Sequence, residues 1–343
     1  MSEPAIARAV PPTEGALMRV TPVRRAGPWL IGLALLIPLP WLAINEYQHY
    51  LLNVIGINII LAVGLNIVKG FAGQITVGHI ALAAIGAYSS AVLSVKFGLP
   101  FWLALPGAVV ITGLAGIIVG IPAFRLEGAY LALATLGLAE SVRIFISATA
   151  YLGAAIGFGD IPPPYLGNEP LNTYAEYYYL VMPLALAGTY FSFAILRSDI
   201  GRAFQALRED SIAAAATGVN VRKYKLLAFL ISALYAGCAG SLAAHLPPGF
   251  IHPNNYTIVE MVTLLLMVVL GGIGHIWGGV IGAILVTIIY DLTRDYYQYQ
   301  LIIFGMIIVL TVSYMPKGIG GLIDRYIATR RFIALRKAKT DAP

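Results

Sequence analysis

The feature that most constrains this chain is a succession of apolar segments, each close to the length of a membrane span, which fills most of its 343 residues. Hydrophobic residues make up 59% of the chain and charged residues only 11%, whereas soluble domains carry about 25% charged residues. Because a helix needs about 20 apolar residues to cross a bilayer, these segments predict transmembrane helices. The composition excludes a soluble enzyme, a disordered chain and a nucleic-acid-binding domain.

Ten segments are candidate spans. They lie at about 28–44, 50–68, 72–95, 100–122, 127–150, 176–196, 224–245, 257–270, 276–290 and 299–316. The first begins too far from Met1 for an ordinary signal peptide, so we interpret it as a retained span. Residues 257–270 and 276–290 are short, and either can be a re-entrant or broken helix. The predicted fold is an all-α polytopic integral membrane protein with eight to ten transmembrane helices, some of them short or broken.

Basic residues are distributed unevenly over the connections between these segments. If the spans alternate, 19 of the 22 Lys and Arg residues fall on one side of the membrane. They are four in residues 1–27, Lys69, Arg125, six in 197–225 and seven from Lys317 onward. The positive-inside rule makes this side cytoplasmic, so both termini are predicted inside. The net charge of +6 is then explained by orientation and contact with membrane lipid, not by nucleic acid.

This topology also predicts the domain organisation. Residues 1–27 form a disordered cytoplasmic tail, and residues 28–318 form the transmembrane domain, with a long outer loop at 151–175 and a long inner loop at 197–225. Residues 319–343 form a basic cytoplasmic tail. Within that tail, apolar residues at helical spacing over 319–337 predict an amphipathic helix on the inner leaflet or against a cytoplasmic partner.

Catalytic and metal-binding motifs are missing from the sequence. It has no G-x-x-x-x-G-K-[ST] phosphate loop, no H-E-x-x-H and no G-x-S-x-G. Its one cysteine, Cys238, cannot build a disulfide or a metal cluster within the chain. We therefore predict no catalytic residues, no metal site and no cofactor in this chain.

Ionisable residues deep in the predicted spans are limited to Glu140 and Arg143. They are three residues apart, so they share a helix face and can neutralise each other. A structural ion pair and a role in the translocation pathway are equally compatible with this spacing. Because an ion-coupled carrier would normally show more intramembrane carboxylates, their scarcity favours a pathway without a coupling ion.

Glycine-rich segments stand at two predicted span boundaries, residues 70–79 and 271–279. Glycine allows helices to pack closely or to break, and a broken helix exposes backbone groups to a polar solute. For the pair Gly278/Gly282 we favour close packing. For the first boundary we favour the translocation pathway, with the candidate residues Gly73, Gln74, Thr76, Gly78 and His79.

The inner loop 197–225 has the pattern of two short helices. Asp210 or Ser211 can cap the second helix, which runs over residues 212–216 and ends at Gly218. A short Ala-rich helix with small side chains suits insertion into a groove of another protein. The alternative is an amphipathic connector on the membrane, although such small side chains would bury little apolar area.

Four stretches of the sequence resemble the membrane permeases of ABC importers, specifically the LivM type of branched-chain amino-acid uptake systems. The most specific is 202–240, which is similar to R-A-x-R-E-D-x-x-A-A-x-x-G followed by a K-l-x-A-F and S-A-x-x-A-G-x-A-G pattern. The others are 64–88, 126–143 and 271–282, and together the resemblance covers about residues 50–320. It implies that 28–318 is a permease domain and that 197–225 docks on an ATP-binding subunit. The residues implied in this coupling are Arg208, Glu209, Asp210, Ala213, Ala214 and Gly218.

The resemblance also implies a function and partners. The chain would form the translocation pathway for branched-chain amino acids in the bacterial inner membrane. Separate subunits would bind and hydrolyse ATP, a sibling permease would complete a heterodimer, and an extracytoplasmic protein would deliver the solute. Departures from the family pattern at Ala129, Ser211 and 153–160 leave urea and short-chain amides as alternative solutes. An ion-coupled secondary carrier and a membrane enzyme are the alternatives from other classes.

Overall fold

The structure is a computed structural model, and it describes residues 40, 43–167, 169–315 and 318–321. The predicted tail 1–27 and nearly all of the first predicted span, 28–44, lie outside the described residues. So does the predicted amphipathic helix 319–337 beyond Gly321.

Eleven α-helices make up most of the described chain. They are α1 Glu46–Asn66, α2 His79–Val95, α3 Phe101–Gly120, α4 Ala129–Ala148, α5 Tyr174–Arg197, α6 Asp199–Glu209, α7 Ser211–Ala216, α8 Val221–His245, α9 Ile258–Gly271, α10 Ile276–Leu292 and α11 Gln300–Tyr314. Each of the nine predicted spans from 50–68 onward overlaps one of these helices over most of its length. The remaining two, α6 and α7, confirm the pair of short helices predicted in the inner loop.

The fold is that of an all-α polytopic membrane protein. Within the described residues, six helical segments are long and apolar enough to cross a membrane, and they contain α1, α3, α4, α5, α8 and α11. Three shorter apolar helices, α2, α9 and α10, accompany them. The span count of eight to ten remains a prediction.

Helix α8 lies at the centre of the bundle and packs against α1, α2 and α3. Small residues allow this close packing. A Cβ atom added to Gly240 would lie 2.1 Å from the carbonyl oxygen of Ala83 on α2. Buried polar groups add links across the same contact, where the hydroxyls of Ser90 and Ser241 are 2.7 Å apart. Close backbone approach and buried hydrogen bonds are the means by which helices associate in lipid.

The bundle has two ends, which we call upper and lower by the direction of α1. Helix α1 begins at the upper end, where the Asn53 side chain donates to the carbonyl of Tyr174 at 2.7 Å. It finishes at the lower end in a π-helical turn, Ile67–Phe71. Helices α9 and α10 form an antiparallel hairpin beside α1, with its tip at the lower end. Their lengths of 14 and 17 residues correspond to about 21 and 26 Å.

The predicted span 72–95 starts later than expected. Residues 72–78 are irregular, and α2 begins only at His79. The physical reason is the backbone of Gly73, whose φ of +68° lies in the left-handed region and is incompatible with a right-handed helix.

The described residues of the predicted outer loop 151–175 form a cap over the upper end. Phe158 and Ile251 exchange two backbone hydrogen bonds of 2.8 and 2.9 Å, and His245 at the end of α8 bonds the Pro162 carbonyl at 2.8 Å. A small antiparallel hairpin pairs Tyr165–Leu166 with Glu169–Pro170. The loop is thereby tied to the segment between α8 and α9.

Candidate functional site

Helix α6 lies along the lower end of the bundle with one face buried. Ser198 caps its start by accepting a hydrogen bond from the backbone N–H of Ile200. On the buried face, Phe204 is fully enclosed and its ring meets that of Tyr224 edge-on at a centroid distance of 6.4 Å. The opposite face, which carries Arg208, is exposed. This amphipathic division explains why α6 packs on the bundle through one face while its charged face remains accessible to solvent.

Helix α7 is held by the cap that the sequence predicted. The Asp210 carboxylate accepts hydrogen bonds from the N–H groups of Ile212 and Ala213 at 2.7 and 3.1 Å. The chain turns away behind α7 at Gly218, whose φ is +90°. Such a cap and a left-handed glycine define both ends of a helix that is only six residues long.

The orientation of α7 corrects the expectation for Ala214. Its side chain is only 4% exposed and packs against the chain itself, so it is not presented to a groove of another protein. The exposed face of α7 carries Ile212, which is 80% exposed, together with Ala213 and Ala216. The reason is helical periodicity, since one turn of a helix lying on a surface directs some side chains inward.

Arg208 connects α6 to both glycine-rich boundaries. A Cβ atom added to Gly73 would lie 2.9 Å from the Cα of Arg208, and one added to Gly274 would lie 2.2 Å from its Nη1. Both glycines have positive φ, +68° and +85°. The structure therefore places the predicted coupling residue Arg208 directly against two turns that only glycine fits without displacement.

The end of α1, just before the turn at Gly73, is bonded to the turn at Gly274. Asn66, which is 1% exposed, donates to the His275 carbonyl at 2.7 Å and accepts from the Gly274 N–H at 2.9 Å. A Cβ atom on Gly70 would lie 2.5 Å from the Gly274 nitrogen. We call Asn66, Gly70, Gly73 and Gly274 the lower seal, because they join the end of α1 to the tip of the α9–α10 hairpin.

Above the lower seal lies a partly open cavity with two adjoining lobes of about 280 and 320 Å³. We call it the α9 cavity. Both lobes are lined by Tyr50, Asn58, Leu61, Ile80 and Glu260. Tyr50 and Leu61 are eleven residues apart on α1, so the cavity reaches about 16 Å along the bundle from the upper end. Its walls combine aliphatic side chains with a few polar groups, as is usual for small-molecule sites.

The candidate residues of the first glycine-rich boundary lie in the segment that leads from Gly73 of the lower seal to the cavity-lining Ile80 of α2. Gln74 is buried and donates to the Ala72 carbonyl at 3.1 Å. Thr76 is also buried, and its hydroxyl accepts from the Gly78 N–H at 3.3 Å.

His79 opens α2 next to the cavity-lining Ile80. It is 1% exposed, and its Nδ1 lies 3.0 Å from the hydroxyl of Ser232. These contacts hold His79 in the packing between α1, α2 and α8, and its place in a pathway stays a prediction.

Glu140 and Arg143 lie apart from this group. The Nε of Arg143 donates to both carboxylate oxygens of Glu140 at 3.0 Å. The side chain of Glu140 is 47% exposed and that of Arg143 is 25% exposed. They line neither lobe of the α9 cavity. Helix α4 buries only one narrow seam, formed by Leu131, Thr135 and its neighbours along the same face, so this ion pair lies on a largely uncovered helix.

One ion pair at the lower end escaped the sequence analysis. The Lys225 ammonium, with a side chain only 4% exposed, donates to Glu127 at 2.6 Å and to the Ala123 carbonyl at 3.3 Å. It fastens the start of α8, just behind the inner loop, to the connection before α4. The two residues are 98 positions apart, and no local pattern could have paired them.

Comparison with known proteins gives the family. A family described as "Branched-chain amino acid transport system / permease component" matches residues 48–312. The chain belongs to this family. The match runs from α1 into α11 and includes α6, α7, the lower seal and the α9 cavity. The chain is therefore a transporter component and a multi-pass membrane protein.

Individual relatives agree with this assignment. The chain is 38% identical to the high-affinity branched-chain amino acid transport system permease protein LivM of Escherichia coli K12, over 77% of this chain and 67% of the relative. It is 29% identical to LivH of the same strain, over 76% and 90% of the two chains. The ribose import permease protein RbsC of Haemophilus influenzae is 25% identical, over 80% and 84%. No solved structure matches this chain.

Proposed function

We propose that this protein is the permease subunit through which a bacterial ABC importer moves branched-chain amino acids across the inner membrane. The family match and the LivM relative support the solute class. The observation that carries the mechanism is the stacking of three features at one place: the α9 cavity, the lower seal beneath it, and Arg208 of α6 against the seal.

In this proposal the α9 cavity is the part of the pathway that opens toward the outside. The lower seal closes it from the cytoplasm through the hydrogen bonds of Asn66 and the close contact of Gly70 with Gly274. Solute would pass when these two turns separate. In this proposal Gly73 belongs to the seal itself, and Gln74, Thr76, Gly78 and His79 follow it in the segment that leads to the cavity-lining Ile80.

Energy would come from separate ATP-binding subunits that dock on the exposed faces of α6 and α7. Because the backbone of Arg208 touches the turn at Gly73 and its guanidinium touches Gly274, a displacement of α6 moves both sides of the lower seal. The Lys225–Glu127 pair carries the same displacement to the connection before α4. Coupling of this kind needs an element with two discrete arrangements, and the seal is our candidate for it.

The sibling permease is proposed to cover α4. This helix exposes an ion pair and apolar side chains along most of its length, and an exposed ion pair is costly in lipid. Contact with a second permease would remove Glu140 and Arg143 from lipid. It would also place the pair beside the translocation pathway, which is one of the two roles that the sequence predicts for Glu140 and Arg143.

The proposed orientation has the lower end in the cytoplasm, with both termini on that side and eight to ten spans. It is supported by the 19 of 22 basic residues on one side of the sequence map and by the placement of α6, α7 and Lys225 at the lower end. An extracytoplasmic solute-binding protein would then dock on the upper end, over the ordered 151–175 loop.

The proposal is tested by assembling the chain with its candidate partners. Co-expression with a sibling permease and ATP-binding subunits should give a stable complex that takes up leucine when ATP and the binding protein are present. Urea and ribose provide the competing solutes. Uptake of either one in place of leucine, by the same complex, would refute the solute class.

A further inference from the structure

Among the described residues, one charged side chain lines the α9 cavity. Glu260 lines both lobes and is half-buried. None of the other residues that line the two lobes is Lys, Arg or His. Within the described part of the chain, the Glu260 carboxylate makes no hydrogen bond and no ion pair. A carboxylate facing a cavity with free oxygen atoms is a binding group for a cation.

The position of Glu260 in α9 explains how the charge is tolerated there. It is in the first turn of the helix, two residues after Ile258, where the positive end of the helix dipole stabilises an anion. The dipole acts without a cap hydrogen bond, so it leaves the carboxylate oxygens available to a ligand. No neighbouring side chain among the described residues pairs with this carboxylate, so it is available to bind a ligand.

The surroundings of Glu260 restrict the kind of cation. Aliphatic and thioether side chains, including Leu61, Leu264 and Met267, share the wall with the polar groups of Tyr50 and Asn58. Lobes of about 280 and 320 Å³ are far larger than a bare metal ion. Such a wall suits a protonated amine that carries a short branched aliphatic chain.

We infer that the α9 cavity is a recognition site for an organic ammonium group and that Glu260 is the residue that binds it. The inference rests on the proposed function to the extent that the cavity belongs to the pathway. It deepens that function by assigning the amine end of the solute to one side chain. The ammonium would form a charge-assisted hydrogen bond with Glu260, and the branched chain would lie against Leu264 and Met267.

Three ligands with similar branched chains separate the contributions of the charged groups. Isopentylammonium has only the amine, 4-methylpentanoate has only the carboxylate, and leucine has both. Binding of each is measured on the purified importer complex without the solute-binding protein. We expect isopentylammonium and leucine to bind and to compete with each other. Competition by 4-methylpentanoate as strong as that by the amine would overturn the inference.

Substitution of Glu260 then tests the residue. Glu260→Gln should weaken isopentylammonium binding about 10- to 100-fold, the range for losing one charge-assisted hydrogen bond. Glu260→Asp, which keeps the charge on a shorter side chain, should weaken binding less. The matched control is Glu46→Gln, since Glu46 is an exposed carboxylate at the same end of the bundle and its loss should leave binding unchanged. Parental affinity in Glu260→Gln would refute the assignment.

Uptake measurements distinguish a failure of this inference from a failure of the proposed function. If the parental complex imports leucine and Glu260→Gln imports it with the same KM, the assignment of Glu260 is wrong while the function stands. If the parental complex does not import leucine but binds isopentylammonium through Glu260, the function is wrong while the site stands. Should Glu260→Gln not be recovered in folded form, Glu260→Asp and the ligand series on the parental protein decide the question.

Discussion

The contact between α6 and the turn at Gly73 predicts that a single methyl group will uncouple this permease. In Gly73→Ala, the new Cβ would lie 2.9 Å from the Cα of Arg208 and 3.2 Å from its Cβ. Because the nearer atom belongs to the backbone, relief requires α6 to move away from the lower seal. Overpacking of this kind costs about 1–3 kcal/mol. The φ of +68° adds about 1–2 kcal/mol for any residue with a Cβ.

Gly98→Ala is the matched control. Gly98 has nearly the same φ, +65°, but nothing lies within 4 Å of its added Cβ. Both variants therefore carry the conformational cost, and only Gly73→Ala carries the steric one. The difference of about 1–3 kcal/mol corresponds to a change in coupling of about 5- to 150-fold.

The assay compares solute-stimulated ATP hydrolysis and leucine uptake in the two variants, at equal amounts of permease in the membrane. Thermal stability of the purified complexes measures the shared conformational cost. We expect both variants to lose stability, Gly73→Ala more than Gly98→Ala because of its steric cost, and we expect a loss of coupling in Gly73→Ala alone. Equal coupling in Gly73→Ala and Gly98→Ala would refute the claim that α6 acts on the lower seal through this contact.

Three further predictions concern α7 and the orientation of the chain. Asp210→Ala should remove a cap worth about 1 kcal/mol and reduce solute-stimulated ATP hydrolysis. Asp210→Asn should still cap α7 and retain most of the stimulated hydrolysis. Equal activities of the two variants would contradict the role of the cap. Ala213→Trp should leave permease levels unchanged but block the stimulation of ATP hydrolysis by solute. Ala214→Trp should lower the amount of folded permease, because Ala214 is buried. The reverse result would mean that the other face of α7 docks. Ile156→Cys and Ile212→Cys, at positions 85% and 80% exposed, should react with impermeant thiol reagents from opposite sides of the membrane, and labelling from one side would refute the orientation.

Much of the fold is readable from the sequence because the bilayer imposes a simple rule on composition. Nine predicted spans contain helices, since a backbone in lipid must satisfy its hydrogen bonds internally. Local chemistry was equally informative in the inner loop. The N-cap at Asp210 and the left-handed turn at Gly218 depend only on neighbouring residues, and the structure contains both.

The contacts between helices could not be predicted in the same way. Membrane helices are apolar on nearly every side, so the sequence does not reveal which face is buried. That is why Ala214 was expected on the docking face although it packs inward. It is also why Lys225 and Glu127 were not paired, and why Glu260 was not recognised as part of a cavity. Each of these depends on residues that are distant in the chain and meet only in the folded bundle.

ATP-dependent accumulation of leucine in proteoliposomes tests the central claim most directly. The vesicles would contain this chain, its sibling permease and the ATP-binding subunits, with the binding protein outside and ATP inside. The account predicts leucine accumulation that requires ATP and every subunit and that persists when a proton ionophore collapses the ion gradient. Accumulation by this chain alone, driven by an ion gradient without ATP, would contradict it.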